Sequence, residues 1–149
     1  MIEWRNDIRV PYADTDAMGV VYHMNYIKYF EVGRGEMMRG LGFPYREMEK
    51  EGMMLPVIEC ACKYKTPAVY DDVLEIRSIL TEVKSASIRV DYEIRRKEDG
   101  VLLVTGMTRH AVTDKSMKPV RLKTHFPAFY ASMTGETEAE DTEKNRNGR

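Results

Sequence analysis

The sequence predicts an α+β fold: a five-stranded antiparallel sheet with one polar face and one face wrapped on a single long helix. Three observations carry this. Four segments in the second half of the chain alternate apolar and polar residues with a period of two, the strand signature. One stretch, from Asn25 to Leu41, instead repeats apolar residues at spacings of three and four. A shorter strand-like run opens the chain before it.

That opening strand is read from Arg5 to Pro11. In the helix, Tyr26, Phe30, Gly33, Met37 and Leu41 form the stripe, which Tyr29 and Met38 widen. At 1.5 Å per residue it runs roughly 25 Å. Gly33 and Gly35 are poor helix formers, and both are assigned to close approach of another backbone. Gly40 and Gly42-Phe43-Pro44 end the helix, and Tyr45 to Gly52 adds a short helical turn. In the next strand Ile58, Cys60, Cys62 and Tyr64 share a face opposite Glu59, Lys63 and Lys65. Leu74, Ile76 and Leu80 alternate with Glu75, Arg77 and Thr81 in the one after. From Ser87 to Arg96, Ile88, Val90, Tyr92 and Ile94 face one way. Val101 to Val112 is apolar on both faces, as a central strand is. Asp99-Gly100 supplies the hairpin turn before it, and Phe126 to Met133 reads as a closing helix after Pro127. One helix covers only part of five strands. The uncovered surface and the open sheet edge favour a dimer that pairs edge strands.

A chain of 149 residues, 43% hydrophobic and 32% charged, has apolar mass for one core. Its formal charge of -1 disfavours a nucleic-acid binder, which needs clustered excess positive charge. The longest stretch free of Asp, Glu, Lys and Arg is Thr124 to Gly135, so no membrane span of about 20 apolar residues is expected. The start, Met1 to Asp7, has no apolar region of the kind a signal peptide carries. Two cysteines exclude a disulfide scaffold and point to a reducing, cytoplasmic setting. Residues 134–149 are almost entirely polar, so the domain is placed at 1–133 and the remainder is expected to be a disordered tail.

The chemistry concentrates before the helix, in Tyr12-Ala13-Asp14-Thr15-Asp16-Ala17-Met18-Gly19-Val20-Val21-Tyr22-His23-Met24-Asn25-Tyr26. A helix N-terminus presents unpaired N–H groups and partial positive charge, which polarise a carbonyl or hold an oxyanion. A carboxylate beside it attacks, or takes a proton from water. Gly19 lets the chain turn closely around a ligand. The same residues also admit a structural account: Asp side chains tied to a turn, His23 as a hydrogen-bonded core residue, and Asn25 as a helix cap.

This loop, with its continuation Ile27-Lys28-Tyr29-Phe30-Glu31-Val32-Gly33-Arg34, closely resembles the acyl-CoA thioesterases of the hotdog fold. The nearest branch is the 4-hydroxybenzoyl-CoA thioesterase group with its Tol-Pal-associated relatives. The likeness extends through Tyr64-Lys65-Thr66-Pro67-Ala68 and Tyr70-Asp71-Asp72-Val73-Leu74, and covers residues 5 to 130. Gly33 stands where alanine is more usual. The resemblance implies a hotdog fold and hydrolysis of an acyl-CoA to free acid and CoA. It implies Asp16 as the catalytic carboxylate, with Tyr12 and His23 as the motif tyrosine and histidine. It implies a site at a dimer interface, with helix amides around Tyr22 and His23 facing the thioester oxygen. It also implies a homodimer, as part of a dimer-of-dimers tetramer. Coenzyme A is then part of the substrate and no cofactor or metal is needed, because a thiolate leaves readily. Lys84, Ser85, Lys118 and Arg121 become candidates for holding its phosphates, or simply solvated surface groups.

Other signals are discounted. Cys60-Ala61-Cys62 fits small buried hydrophobes better than a metal site. Met18, Met24, Met37 and Met38 are candidates for lining an acyl pocket, and His110 and His125 are read as structural. Two rival functions remain: an acyl dehydratase or hydratase using Glu31 or Glu36 on the helix, and a non-catalytic acyl-CoA-binding or scaffold protein of the same fold.

Overall fold

The computed structural model describes residues 2–135; the expected polar tail lies almost wholly outside them. Five strands form one antiparallel sheet: β1 (Ile2–Arg9), β2 (Val57–Tyr64), β3 (Val73–Val83), β4 (Ser87–Arg96) and β5 (Leu102–Ala111), in the order β1-β3-β4-β5-β2. The helices are α1 (Asn25–Gly40), α2 (Tyr45–Lys50), α3 (Leu122–His125) and α4 (Pro127–Thr134). α1 matches the predicted helix to within a residue. β1 begins three residues earlier than predicted, and the short α3 was not anticipated. No helix among the described residues is long and apolar enough to cross a membrane.

The sheet buries one side. Along β3 and β4, Leu74, Ile76, Leu80, Ile88, Val90, Tyr92 and Ile94 are buried beneath α1, while the alternate residues stay half-exposed. This alternation is what an antiparallel sheet with one covered face requires. Glycines let helix and sheet approach. A Cβ on Gly33 would lie 2.6 Å from both Ile76 Cγ2 and Ser78 Oγ, so a close approach is present there, but of side chains rather than the backbone expected from sequence. It does not hold at Gly35, where nothing lies within 4 Å. On β5, Gly106 makes room for the Phe30 ring, which stacks on Tyr92 with centroids 4.4 Å apart. Gly42, at φ +87°, ends α1: its N–H donates to Arg39 O and the Phe43 N–H to Met38 O, closing the helix in a Schellman turn.

β2 is the exception. It pairs only with β5 and is exposed along nearly all its length, including Val57, Ile58 and Tyr64. Cys60 is exposed and Cys62 half-buried, so the two cysteines are not the buried hydrophobes expected from sequence. They alternate as predicted, but on an edge strand whose apolar face the chain leaves uncovered.

Candidate active site

Asp14 and Asp16 have opposite environments. Asp14 ends a single 3-10 turn, Tyr12–Asp14, and the residue is 7% exposed. Lys28 Nζ donates to its Oδ1 at 2.7 Å and the Tyr29 hydroxyl to its Oδ2 at 2.7 Å. Burial works against its charge, but the bonds from Lys28 and Tyr29 and the Lys28 charge outweigh it, holding the carboxyl below its ordinary value. Its carbonyl accepts from Asn25 Nδ2 at 2.8 Å and from the Tyr22 N–H at 2.9 Å. Asp14 therefore fastens the loop to α1.

Asp16 opens the turn that follows. Its N–H donates to Val20 O at 2.9 Å and its carbonyl accepts from Gly19 N at 3.0 Å. Gly19 holds φ +79°, so glycine is required by the turn itself. The Met18 N–H donates to Asp16 Oδ1 at 2.9 Å, whereas Oδ2 has no hydrogen-bond partner among the described residues. The half-buried Asp16 lines a cleft of about 210 Å³ with Met18, Val20, His23, Tyr64 and Pro67.

His23 stands across this cleft at the entry to α1. Its ring packs edge-on against Tyr22, with centroids 4.7 Å apart, and its carbonyl accepts from the Tyr64 hydroxyl at 3.0 Å. The Tyr64 phenol is pushed up to about 12, first by burial and then by its bond with Cys62, so it stays a neutral donor. The loop is also stitched to the segment after β2: Val21 N donates to Ala68 O at 2.9 Å, and Ala68 N to the Tyr26 hydroxyl at 3.1 Å.

Four groups stand differently from the simplest expectation within one chain. The residue before α1 is Met24 with no side-chain cap, and Asn25 instead bonds the Asp14 carbonyl. The Tyr22 N–H is occupied by that same carbonyl, so it is not an open oxyanion donor. The His23 and Met24 amides lack an acceptor among the described residues at this helix end. Tyr12 does not enter the cleft of its own chain: it is 76% exposed and packs edge-on against Tyr70. Met37 and Met38 are fully buried core, while Met18 and Met24 are the exposed pair.

Residues 10–132 match the thioesterase-like superfamily, a span that contains the loop, α1 and four of the strands. The chain belongs to the thioesterase-like superfamily. The acyl-CoA thioester hydrolase YbgC of Escherichia coli O6:H1 is 34% identical over 116 residues, 78% of this chain and 87% of YbgC. YneP of Bacillus subtilis is 33% identical over 129 residues, 86% of this chain and 93% of its own length. The crystal structure of a DHNA-CoA thioesterase from Staphylococcus aureus superimposes with a TM-score of 0.84 at 31% identity, covering 100% of this chain and 97% of that one. The architecture is thus the hotdog fold.

In this thioesterase-like chain the four groups expected to hold coenzyme phosphates gather elsewhere. Lys84 and Ser85 form the β3–β4 turn, and Leu122 N donates to Ser85 O at 2.8 Å, which brings Arg121 to the same corner. Lys118 belongs to the turn that precedes it, its N–H donating to Asp114 Oδ1 at 3.1 Å. The Asp16 cleft adjoins Tyr64, which pairs with Val104, whereas Ser87 pairs with Ala111. Seven residues of β5 separate the two ends, roughly 23 Å of strand. Sequence reasoning gave no role to Tyr64, Thr66 and Pro67, which line the cleft, nor to Lys28. Their signal was present only in the family likeness, through the Tyr64-to-Ala68 segment and, for Lys28, the Ile27-to-Arg34 stretch. Among the described residues no three His, Cys, Asp or Glu side chains converge as a metal ion would need.

Proposed function

We propose that this protein hydrolyses acyl-CoA thioesters, with Asp16 as the reacting carboxylate. The observation that carries the reading is the free Asp16 Oδ2 in a cleft shared with His23, at the helix end where the His23 and Met24 amides lack acceptors. The thioester oxygen sits on those amides, whose dipoles favour developing negative charge. Oδ2 then attacks the carbonyl carbon to give a mixed anhydride that water cleaves, or takes a proton from an attacking water. Both routes expel CoA as thiolate, and His23 is placed to supply its proton. Single turnover in ¹⁸O-water separates them: label enters the Asp16 carboxylate only through the anhydride.

Two copies complete the site. The exposed apolar β2 edge pairs antiparallel with its counterpart, which sets the Tyr64 end of one chain beside the Val57 end of the other. Lys84, Ser85, Lys118 and Arg121 of the second copy then flank the first copy's cleft, resolving the 23 Å separation within one chain. Ile58→Lys on that edge yields a monomer by sedimentation, with a raised KM for acyl-CoA. A monomer with unchanged kinetics removes the second copy from the site.

The direct test is thiol release from benzoyl, short-chain and long-chain CoA esters, run beside Asp16→Asn. The substitution keeps shape, removes the base or nucleophile, and lowers kcat by about 10²- to 10⁴-fold. Undiminished turnover ends the assignment, and ester binding without thiol release favours a non-catalytic binder. A dehydratase is disfavoured by position. Glu36 is ion-paired with Arg39, and Glu31 lies eight residues along from His23, about 12 Å of helix.

A further inference from the structure

A second groove runs along the outer side of α1, between that helix and β2, with a volume of about 520 Å³. Met24 lies at one end and Arg34 at the other, ten residues apart, or about 15 Å of helix. Met24, Ile27 and Val57 make its wall apolar, and all three are exposed in the single chain. The groove therefore starts at the helix end where the thioester carbonyl is placed. Given that placement, on which this inference rests, the groove is the path open to the acyl group.

Its far end is not apolar. Arg34 is only 9% exposed, yet no carboxylate lies within ion-pairing distance of it among the described residues. Its Nε donates to the Tyr45 hydroxyl at 2.9 Å and its Nη1 to the Tyr92 hydroxyl at 3.0 Å. The Tyr92 hydroxyl bonds Thr108 Oγ1 at 2.6 Å, and Thr108 in turn meets His110 Nε2 at 2.8 Å. These neutral groups fix the guanidinium without neutralising it. Nη2 has no hydrogen-bond partner among the described residues, and it is not one of the side-chain atoms sealed from solvent without one. Arg34 lines the groove, and Nη2 is the end of its guanidinium that no hydrogen bond occupies among the described residues. A nearly buried cation with free planar donors is matched best by a carboxylate.

Two further charges border the groove. Lys28 is already paired with Asp14, and Glu31 is exposed. Glu31 opposes an anion, but from a hydrated position where its field is screened.

We infer that the groove between α1 and β2 selects acyl groups that end in a carboxylate, with Arg34 as the specificity-determining residue. The preferred substrates are then dicarboxylyl-CoA esters rather than alkyl-CoA esters of the same length.

The experiment compares succinyl-, glutaryl-, adipyl- and suberyl-CoA with butyryl-, valeryl-, hexanoyl- and octanoyl-CoA. kcat/KM is measured by thiol release on the full-length protein, and Kd by calorimetry on Asp16→Asn. The expected result is a preference of about tenfold or more for the carboxylate ester at one or more lengths, the ratio one charge-assisted hydrogen bond supplies. Arg34→Gln abolishes that preference. Because Arg34 sits in a buried network, Glu31→Gln gives an independent readout on an exposed position: it raises the preference about two- to fivefold. Inhibition by free CoA separates the two anions available. If Arg34→Gln weakens free CoA as much as it weakens the dicarboxylyl esters, the guanidinium holds a coenzyme phosphate and the inference is overturned. Alkyl esters equal or superior at every length, in both turnover and Kd, overturn it too, with the thioesterase reading intact. Carboxylate preference in Kd without thiol release upholds the groove and refutes the hydrolase instead.

Discussion

Replacing Asp14 by asparagine separates anchoring from chemistry. The carboxylate is nearly buried and takes two charge-assisted hydrogen bonds. The Tyr29 hydroxyl is enclosed with it, and such a bond contributes about 1.5–3 kcal/mol. Lys28 is half-exposed, so its share is discounted to about 0–1 kcal/mol. Asp14→Asn therefore costs about 1.5–4 kcal/mol, or a fall in Tm of ~3–16 °C for a domain of this size. The pH dependence has a definite sign. The folded carboxyl titrates below its ordinary value, so its contribution is complete above about pH 4 and is lost as pH falls through the depressed folded value. Urea unfolding from pH 7 down to pH 3 shows that acid loss in the wild type and much less of it in Asp14→Asn. Asp16→Asn, by contrast, leaves the unfolding free energy within about 0.5 kcal/mol of wild type while lowering kcat by about 10²- to 10⁴-fold. An Asp14→Asn protein as stable as wild type across that range refutes the anchoring role.

Two more outcomes follow from the core. Gly106→Ala is destabilising by about 1–3 kcal/mol, because the new Cβ meets the Phe30 ring and lies 2.7 Å from the Ala61 carbonyl of the neighbouring strand; an unchanged Tm refutes the packing described. His110 is fully buried, and burial first, then the Arg34 charge, lowers its pKa to about 4. A neutral buried imidazole stabilises the fold above its unfolded value, so about 3 kcal/mol is lost as pH falls from about 6.5 to about 4. Its NMR chemical shifts stay those of the neutral ring at pH 5, and a midpoint near 6.5 refutes the assignment.

Elements whose pattern expresses one buried face were legible in the sequence. α1 and β4 fall within a residue of their predicted bounds, because each alternates against the same core. β3 was readable despite Ser78, a polar residue at a fully buried position beneath Gly33. β2 was readable as a strand, but its burial was not: period two reports which residues share a face, not whether anything covers it. Gly33 and Gly35 look alike in sequence, and only the crossing point of α1 over β3 distinguishes them. Residue types and family likeness pointed to Asp16 and His23, which line one cleft, while Tyr12 lies outside its own chain's cleft. The Lys28–Asp14 pair joins residues fourteen apart through a loop, and no helical or strand spacing encodes that contact.

The division of labour between the two carboxylates has a backbone origin. In extended chain, residues two apart face the same way, and Asp14 and Asp16 would share one environment. Here the 3-10 turn closes at Asp14, with the Asp14 N–H donating to Pro11 O at 3.1 Å, and a second turn opens at Asp16. The reversal sends one side chain under α1 and the other into the cleft. Two hydrogen bonds to the Asp14 carbonyl, from Tyr22 N and Asn25 Nδ2, fix the entry to α1 relative to that reversal. They also leave the next two amides, of His23 and Met24, as the first open donors. The same carbonyl that occupies the Tyr22 amide therefore sets, on the proposed reading, where an oxyanion would be held. Shortening Asn25 to alanine keeps every atom of the cleft, yet on this argument it lowers kcat more than it raises KM, because it loosens the amides relative to Asp16. An Asn25→Ala enzyme with wild-type kcat and a higher KM refutes it.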